Sequence, residues 1–431
     1  MLTAFGRAFK TPDLRRKLLF TLAMIGVYRA GSLVPGPGVS YVAIQHCLKA
    51  VQGNSLYGLV NLFSGGALLQ LSVFALGIMP YITSSIIVQL LIVVIPRLET
   101  LKEEGQSGQA KLTQYTRYLT VALAVLQSTG IVALARSGRL FQGCTEQIIP
   151  DPSIVRIGVL VLTLTSGTAV IMWLGELVTD RGIGNGMSVL IFTSIISSMP
   201  AAAYRMVQQP NGGFILFAIA VLSVVVITLV VFVEQAQRRI PVQYAKRMIG
   251  RRMYGGTSTY IPLKVNQAGV IPVIFASSLL YLPQLLAQVF GSNQTLGTFV
   301  SRYLTKGDHP LYLLSYFGLI VFFTYFYVAI TFNPVEVSDN MKKYGGFVPG
   351  IRPGRATAEY LDYILSRITS FGALYLGLVA VLPYLLFSLT AGSNRFPFGG
   401  TAVLIVVGVG LETVKQVESQ LMLRNYEGFL R

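Results

Sequence analysis

The sequence predicts an all-α integral membrane protein. Of its 431 residues, 53% are hydrophobic and only 12% are charged, and the mean hydropathy is +0.63. An ordinary soluble domain has roughly 25% charged residues. A soluble core could not bury this much apolar surface, and the apolar residues are gathered in runs of helical length.

Ten runs are long and apolar enough to be membrane helices, since a spanning helix needs about 20 such residues. They cover residues 18–34, 72–95, 118–135, 154–175, 187–203, 214–233, 266–290, 311–332, 368–389 and 400–419. The first run follows Arg15-Arg16-Lys17 but lacks the small-residue cleavage pattern of a signal peptide. We therefore predict that it is a retained helix.

The distribution of basic residues predicts the orientation in the membrane. The net charge is +17, and ten crossings place both termini on the same side. That side carries 25 of the 34 Lys and Arg residues. By the positive-inside rule it is cytosolic. We thus expect a multi-pass protein of the cytoplasmic membrane with both termini in the cytosol.

Two cytosolic loops, 234–265 and 333–366, are longer than a helix connection requires. In the first, alternating β-forming residues flank a basic centre that contains Gly255-Gly256, which predicts a protruding two-stranded finger. The second is rich in turn-forming residues from Lys342 to Arg355 and is expected to be an ordered loop rather than a helix. An orientation signal needs no such length, so we favour partner docking for both.

Two external features stay open at this point. Residues 58–70 are mildly apolar and too short to span, so they form either a surface half-helix or a re-entrant piece shielded by protein. Cys47 and Cys144 both fall in external loops, where an oxidising environment permits but does not require a disulfide.

The residues that catalysis and ion coupling require are scarce. The chain has two His and two Cys residues and no zinc-protease, nucleotide-binding or serine-hydrolase motif. We expect no enzymatic activity, no cofactor and no metal. The acidic residues nearest the bilayer, Glu176, Glu234 and Glu412, lie near cytosolic helix ends, which argues against an ion-coupled secondary transporter. That class and a polytopic membrane enzyme are the alternatives. Arg29 is expected to snorkel to the external interface.

Several motifs spread over the chain resemble the SecY family, the channel subunits of the Sec translocase. They are Ala75–Ile87 (ALGIMPYITSSII), Arg181–Gly186 (RGIGNG), Arg238–Tyr244 (RRIPVQY), Asn266–Pro272 (NQAGVIP), Phe275–Ser278 (FASS), Gly346–Gly354 (GFVPGIRPG) and Gln416–Met422 (QVESQLM). The resemblance covers essentially the whole chain.

This resemblance implies two inverted five-helix halves, 1–203 and 204–431, around an hourglass pore with a re-entrant plug at about 58–70. We see no residue-level repeat between the halves. The implied plug residues are Asn61, Leu62, Phe63, Ser64, Gly65 and Gly66. The implied pore ring consists of Ile78, Ile82, Ile86, Met187, Ile191, Ile274 and Ile405. Branched apolar side chains at a constriction exclude water and ions without binding a passing peptide.

The resemblance also implies a lateral gate where the second and third helices meet the seventh and eighth. Three polar residues stand out there: Thr83, Gln127 and Asn266. We expect their contacts to be weak enough for the gate to open.

The implied function is translocation of unfolded preproteins across the membrane and lateral release of transmembrane segments. The implied partners are SecE, SecG, the SecA ATPase, the ribosome with its rRNA, signal peptides, nascent chains and membrane lipids. The basic residues expected to dock the motor or the ribosome are Arg238, Arg239, Lys246, Arg247, Arg251, Arg252, Arg352 and Arg355.

Overall fold

A computed structural model describes most of the chain. The described residues are 9–50, 64–136, 153–208, 212–244, 258–289, 309–389 and 400–427, with short pieces at 138, 146, 148–150, 247–249 and 252–254. The helices are α1 Pro12–Leu33, α2 Tyr41–Ala50, α3 Met79–Val94, α4 Pro96–Glu103, α5 Gln106–Arg136, α6 Ile154–Arg181, α7 Gly186–Val207, α8 Gly212–Gln235, α9 Ile271–Val289, α10 Pro310–Thr331, α11 Pro334–Lys343, α12 Arg355–Leu389 and α13 Gly400–Glu427. The strands are β1 Gln237–Tyr244, β2 Arg247–Ile249, β3 Arg252–Tyr254, β4 Ser258–Lys264 and β5 Gly346–Phe347.

Each of the ten predicted spans overlaps one helix, and several of these helices extend beyond the span: α1, α3, α5, α6, α7, α8, α9, α10, α12 and α13. Within the described residues, α5, α6, α8, α12 and the unit of α10 with α11 are each long and apolar enough to cross a membrane. A sixth candidate is the pair α3 and α4, whose axes differ by 101°. The predicted all-α membrane class is confirmed.

Two predicted helices begin later than expected because a residue with positive φ precedes each of them. Gly77 has φ 57° just before α3, which begins at Met79 rather than at residue 72. Gly269 has φ 62° just before α9, which begins at Ile271 rather than at residue 266. A left-handed residue cannot lie inside a right-handed helix. Asn266 therefore lies in a turn and not in a membrane helix.

Residues 344–354 lie outside helices, as the turn formers from Lys342 to Arg355 predicted, whereas the flanking parts of the loop 333–366 are helical. The first ten residues after Asn333 form α11, and α12 begins at Arg355. The Asn333 side chain caps α11 by accepting hydrogen bonds from the backbone N–H groups of Val335 and Glu336. Pro334 occupies the first turn, where its missing N–H costs nothing. This capping signal is present in the sequence, ahead of the turn formers.

The two long cytosolic loops form one antiparallel sheet in the order β4, β1, β5. Strand β1 pairs with β4 along its length, with Ile240 opposite Ile261. Its other edge pairs with β5 of the second loop, where Gln243 lies opposite Phe347. The expected finger is thus two-stranded only at β2 and β3, and its base is three-stranded.

The largest apolar cluster draws on helices from both halves of the chain. It includes side chains from α3, α5, α6 and α7 of the first half and from α9, α10, α12 and α13 of the second. A separate cluster lies between the sheet and the first turns of α12 and includes Val242, Met341 and Leu361. The fold therefore has a large core among the long helices and a smaller core beneath the sheet.

Helix α2 lies next to the segment that follows α5. Cys47 is buried and disulfide-bonded, whereas the chain's other cysteine, Cys144, lies outside the described residues. His46 Nδ1 lies 3.1 Å from Glu146 Oε1, and the backbone N–H of Ser40 donates to the carbonyl of Ile148 at 2.9 Å. These contacts hold the chain that leads from α1 toward residue 64.

Candidate functional site

Seven apolar side chains from four helices converge in the membrane core. Ile78 caps α3, which also carries Ile82 and Ile86, and the other four side chains come from α7, α9 and α13. The complete set is Ile78, Ile82, Ile86, Met187, Ile191, Ile274 and Ile405. The six isoleucines are at most 7% exposed, and Met187 packs half-buried against the same cluster. The seven side chains therefore belong to one apolar cluster that includes helices from both parts of the chain.

A glycine on α6 makes room for the one member of this set that is not isoleucine. A Cβ at Gly175 would overlap the sulfur of Met187. The close approach of α6 and α7 at this point directs the Met187 side chain toward the cluster. A thioether adapts to an irregular gap better than a branched side chain does.

The described part of segment 58–70 runs through tight turns beside α1 and α7. Ser64 is buried, and its Oγ accepts a hydrogen bond from the backbone N–H of Leu68 at 3.1 Å. Leu68 is fully buried in the same apolar cluster as the seven side chains above. Gly65 and Gly66 have φ values of 63° and 94°, which favour glycine. Asn61, Leu62 and Phe63 lie outside the described residues.

Arg29 is half-buried on α1. Its Nη1 donates a hydrogen bond to the carbonyl oxygen of Gly65 at 3.0 Å. The sequence contains no signal for this contact, because the acceptor is a main-chain atom. Arg29 thus joins the residues that position segment 64–70.

Helix α9 packs against both α3 and α5, which are the helices expected to form a gate. The three polar residues predicted there do not hydrogen-bond to one another within the described part of the chain. Thr83 Oγ1 donates to the carbonyls of Met79 and Pro80 in its own helix. Gln127 is 2% exposed, and its Nε2 has no partner among the described residues.

Asn266 has a partner in its own half of the chain. Its Nδ2 donates to Glu234 Oε1 at 2.5 Å and to the carbonyl of Gly269 at 3.1 Å. A polar contact between the two parts of the chain occurs instead near the end of α10, where Lys102 Nζ on α4 donates to the carbonyl of Ile330 at 3.3 Å. The sequence did not indicate it, because again the acceptor is a main-chain oxygen.

The predicted docking residues lie on the sheet and the adjoining turn. Arg238 and Arg239 are exposed on β1, and the guanidinium of Arg239 lies 4.8 Å from the ring centroid of Tyr260. Arg352 is exposed between β5 and α12. Arg355 Nε donates to Glu359 Oε1 at 2.9 Å.

Two of the remaining predicted docking residues, Arg247 and Arg252, belong to β2 and β3, which pair antiparallel. Lys246 and Arg251 lie outside the described residues. Because β5 pairs with β1, the residues of both loops belong to one surface. The pairing of the two loops in one sheet was not predicted from the sequence.

Potential metal ligands are dispersed. Across the residues that the structure describes, no three His, Cys, Asp or Glu side chains lie close enough together to hold a metal ion.

Comparisons with known proteins place these features in a family. The SecY family model matches residues 72–414. The protein translocase subunit SecY of Streptomyces galbus is 66% identical over 437 aligned positions, which cover 100% of both chains.

Two solved structures share the fold at low sequence identity. One, described as showing that the plug domain of SecY stabilises the closed translocation channel and maintains a membrane seal, aligns with a TM-score of 0.60 at 18% identity and covers 94% of this chain and 91% of that one. The other, the idle yeast Ssh1 complex bound to the yeast 80S ribosome, aligns with a TM-score of 0.63 at 15% identity and covers 96% and 90%.

Proposed function

The chain belongs to the SecY family and is the protein-conducting subunit of a translocase, and from this premise we propose which of its residues seal, gate and dock the channel. The pore lies between the two halves, 1–203 and 204–431. Unfolded preproteins pass through it, and transmembrane segments leave it sideways into the bilayer.

The observation that carries the proposal is that the seven ring residues share one buried apolar cluster where α9 packs on α3 and α13 packs on α7. At rest these side chains seal the pore because an apolar constriction stays dry. They offer no hydrogen bonds that would hold a polypeptide in transit. Met187 seals with the rest, since its flexible side chain fills the remaining gap.

Residues 58–70 act as the plug on the external side of the ring. The supporting observation is that Leu68 belongs to the same apolar cluster as the ring residues, while Gly65 lies against α1 and α7. Ring and plug therefore form two successive barriers to ions.

The lateral gate lies between α3 and α5 on one side and α9 and α10 on the other. The packing of α9 on α3 and α5 and the Lys102–Ile330 hydrogen bond support a closed gate in this conformation. Thr83 and Gln127 face this boundary as the gate residues of the first half. Asn266 contributes by holding the turn that leads into α9.

The shared sheet and the turn after it dock cytosolic partners. Exposed guanidinium groups at Arg238, Arg239 and Arg352 suit rRNA phosphates and the acidic surface of a motor. We infer that the SecA ATPase or the ribosome binds here, and that SecE and SecG are the membrane partners. Force comes from these partners, since the chain itself performs no covalent chemistry. Both termini face the cytosol.

Reconstitution tests this function. Vesicles that contain the chain with SecE are supplied with SecA, ATP and an unfolded preprotein, and protease protection of the preprotein reports import. Vesicles without this chain are the control. We expect ATP-dependent protection only when the chain is present. Uptake of a small solute without preprotein import would instead favour a secondary transporter.

A further inference from the structure

Arg29 is a charged residue in the last third of α1, on the external side of the ring. Its guanidinium donates to the carbonyl of Gly65, a residue of the segment assigned above to the plug. We propose that Arg29 is the positioning residue that holds the plug in its closed seat by this hydrogen bond. The inference rests on the proposed function, because it takes residues 58–70 as the plug.

The space around Gly65 leaves little room for a side chain. A Cβ at this position would lie 2.9 Å from Arg29 Nη1 and 3.2 Å from both Ser194 Cα and Ser197 Oγ. The φ of 63° adds a conformational preference for glycine. The main chain of the plug is therefore held between the guanidinium on α1 and the surface of α7.

The neighbours of Arg29 keep its guanidinium in place. The Tyr28 hydroxyl lies 2.6 Å from Ser194 Oγ, and the Tyr28 ring stacks on Phe74 at a centroid distance of 6.0 Å. These contacts join α1 to α7 and to the turns that follow the plug. The Ser32 hydroxyl donates to the main-chain carbonyl of Arg29 at 2.7 Å. The groups that hold the plug in its closed position are thus fixed on packed helices.

The carbonyl of Gly65 is the acceptor that the guanidinium uses within the described residues, where no carboxylate lies within 4.0 Å of Arg29. A hydrogen bond from an ionised donor is stronger than one between neutral groups. When the plug leaves, the guanidinium loses this acceptor and becomes hydrated by the water that enters the funnel. The closed state therefore gains a stabilisation that the open state lacks.

The test measures resting ion conductance of the complex with SecE in planar bilayers. Arg29→Met keeps an unbranched, flexible side chain and removes its charge and donors. We expect resting conductance to rise at least about tenfold, which corresponds to about 1.4 kcal/mol. Arg156→Met makes the same change at an exposed residue on the external end of α6 and should leave the conductance unchanged.

A second variant separates plug positioning from a general loss of folding. Gly65→Ala disturbs the same contact from the plug side and should raise the conductance similarly. If both changes act through one hydrogen bond, the Arg29→Met/Gly65→Ala double variant conducts no more than the more conductive single variant. A merely structural role would give additive effects together with loss of preprotein import.

The outcomes distinguish this inference from the proposed function. Normal preprotein import by the wild type together with unchanged conductance of Arg29→Met overturns the role of Arg29 and leaves the channel function standing. Absence of import by the wild type overturns the channel function instead. Raised conductance with import preserved supports both.

Discussion

Asn266 Nδ2 donates a hydrogen bond to Glu234 Oε1, and the two atoms are 2.5 Å apart. The bond joins the cytosolic end of α8 to the turn that leads into α9. Both residues belong to the second half of the chain, so the bond does not cross the gate. Asn266 Oδ1 is buried without a partner among the described residues. The Asn266 amide therefore stabilises the turn through the hydrogen bonds that its Nδ2 donates.

Replacing Asn266 with Leu should destabilise the protein by about 1–3 kcal/mol, because the carboxylate of Glu234 then loses its donor. Thermal unfolding of the purified complex measures the effect. The Asn266→Leu/Glu234→Leu double variant should recover much of the loss, since it removes the unpaired carboxylate and leaves only the Gly269 carbonyl without its donor. If Asn266→Leu alone has wild-type stability, the hydrogen bond contributes nothing.

Replacing Gln127 with Leu should stabilise the closed state rather than destabilise the protein. Its Nε2 is buried without a partner among the described residues, so an apolar side chain of similar size removes a desolvation cost from the closed state. We expect the closed state to gain up to about 1–3 kcal/mol and export of substrates with weak signal sequences to fall. Thr129→Val, on the exposed face of the same helix, is the matched control. Unchanged export in Gln127→Leu would remove this residue from the gate.

Replacing Ile82 with Asn should let water and ions through the ring. An amide in an apolar constriction favours wetting, and we expect resting conductance to rise by at least roughly tenfold, or about 1.4 kcal/mol. Val94→Asn, at the exposed end of the same helix, should not change it. Equal conductance in the two variants would place the seal elsewhere.

Replacing Gly346 with Val should separate the two cytosolic loops. An added Cβ would lie 3.0 Å from the Tyr244 ring and 3.3 Å from Val242 Cγ1. The crowding should cost about 1–3 kcal/mol, and limited trypsin digestion should then cleave both loops faster. Tyr344→Ala, which alters a 79% exposed side chain nearby, is the control. Faster cleavage of only one loop would contradict the shared sheet.

Replacing Arg352 with Glu should abolish most SecA-driven preprotein import, because it reverses a charge at the centre of the docking surface. Lys343→Glu makes the same charge change in the same loop and should retain most of the import. Import rates measured at two salt concentrations check the electrostatic cause, since screening weakens contacts between exposed charges. Wild-type import in Arg352→Glu would exclude a role for this residue.

The positions of the ten long helices could be predicted because apolar length is a local property of the chain. Helix starts were less accurate where a glycine with positive φ, such as Gly269, precedes the helix. The ring residues were suggested by family resemblance, since their spacing alone is that of any buried aliphatic residue.

The contacts that join distant segments could not be predicted. Strand β5 has two residues, Gly346 and Phe347, which is too short for any alternation to be visible. Arg29 and Lys102 both donate to main-chain carbonyls, and every residue carries such an acceptor. These pairings depend on which segments lie close together in the folded chain, and the pattern of side chains in the sequence does not indicate that.

The sheet shared by the two loops has a mechanical consequence. Strand β1 begins two residues after α8 ends, β4 leads through the Asn266 turn into α9, and β5 lies between α11 and α12. A force applied to the finger therefore acts on one sheet rather than on two separate loops. Since β4 leads into α9, we expect a partner that binds the finger to displace the start of α9, a helix proposed above to line the lateral gate.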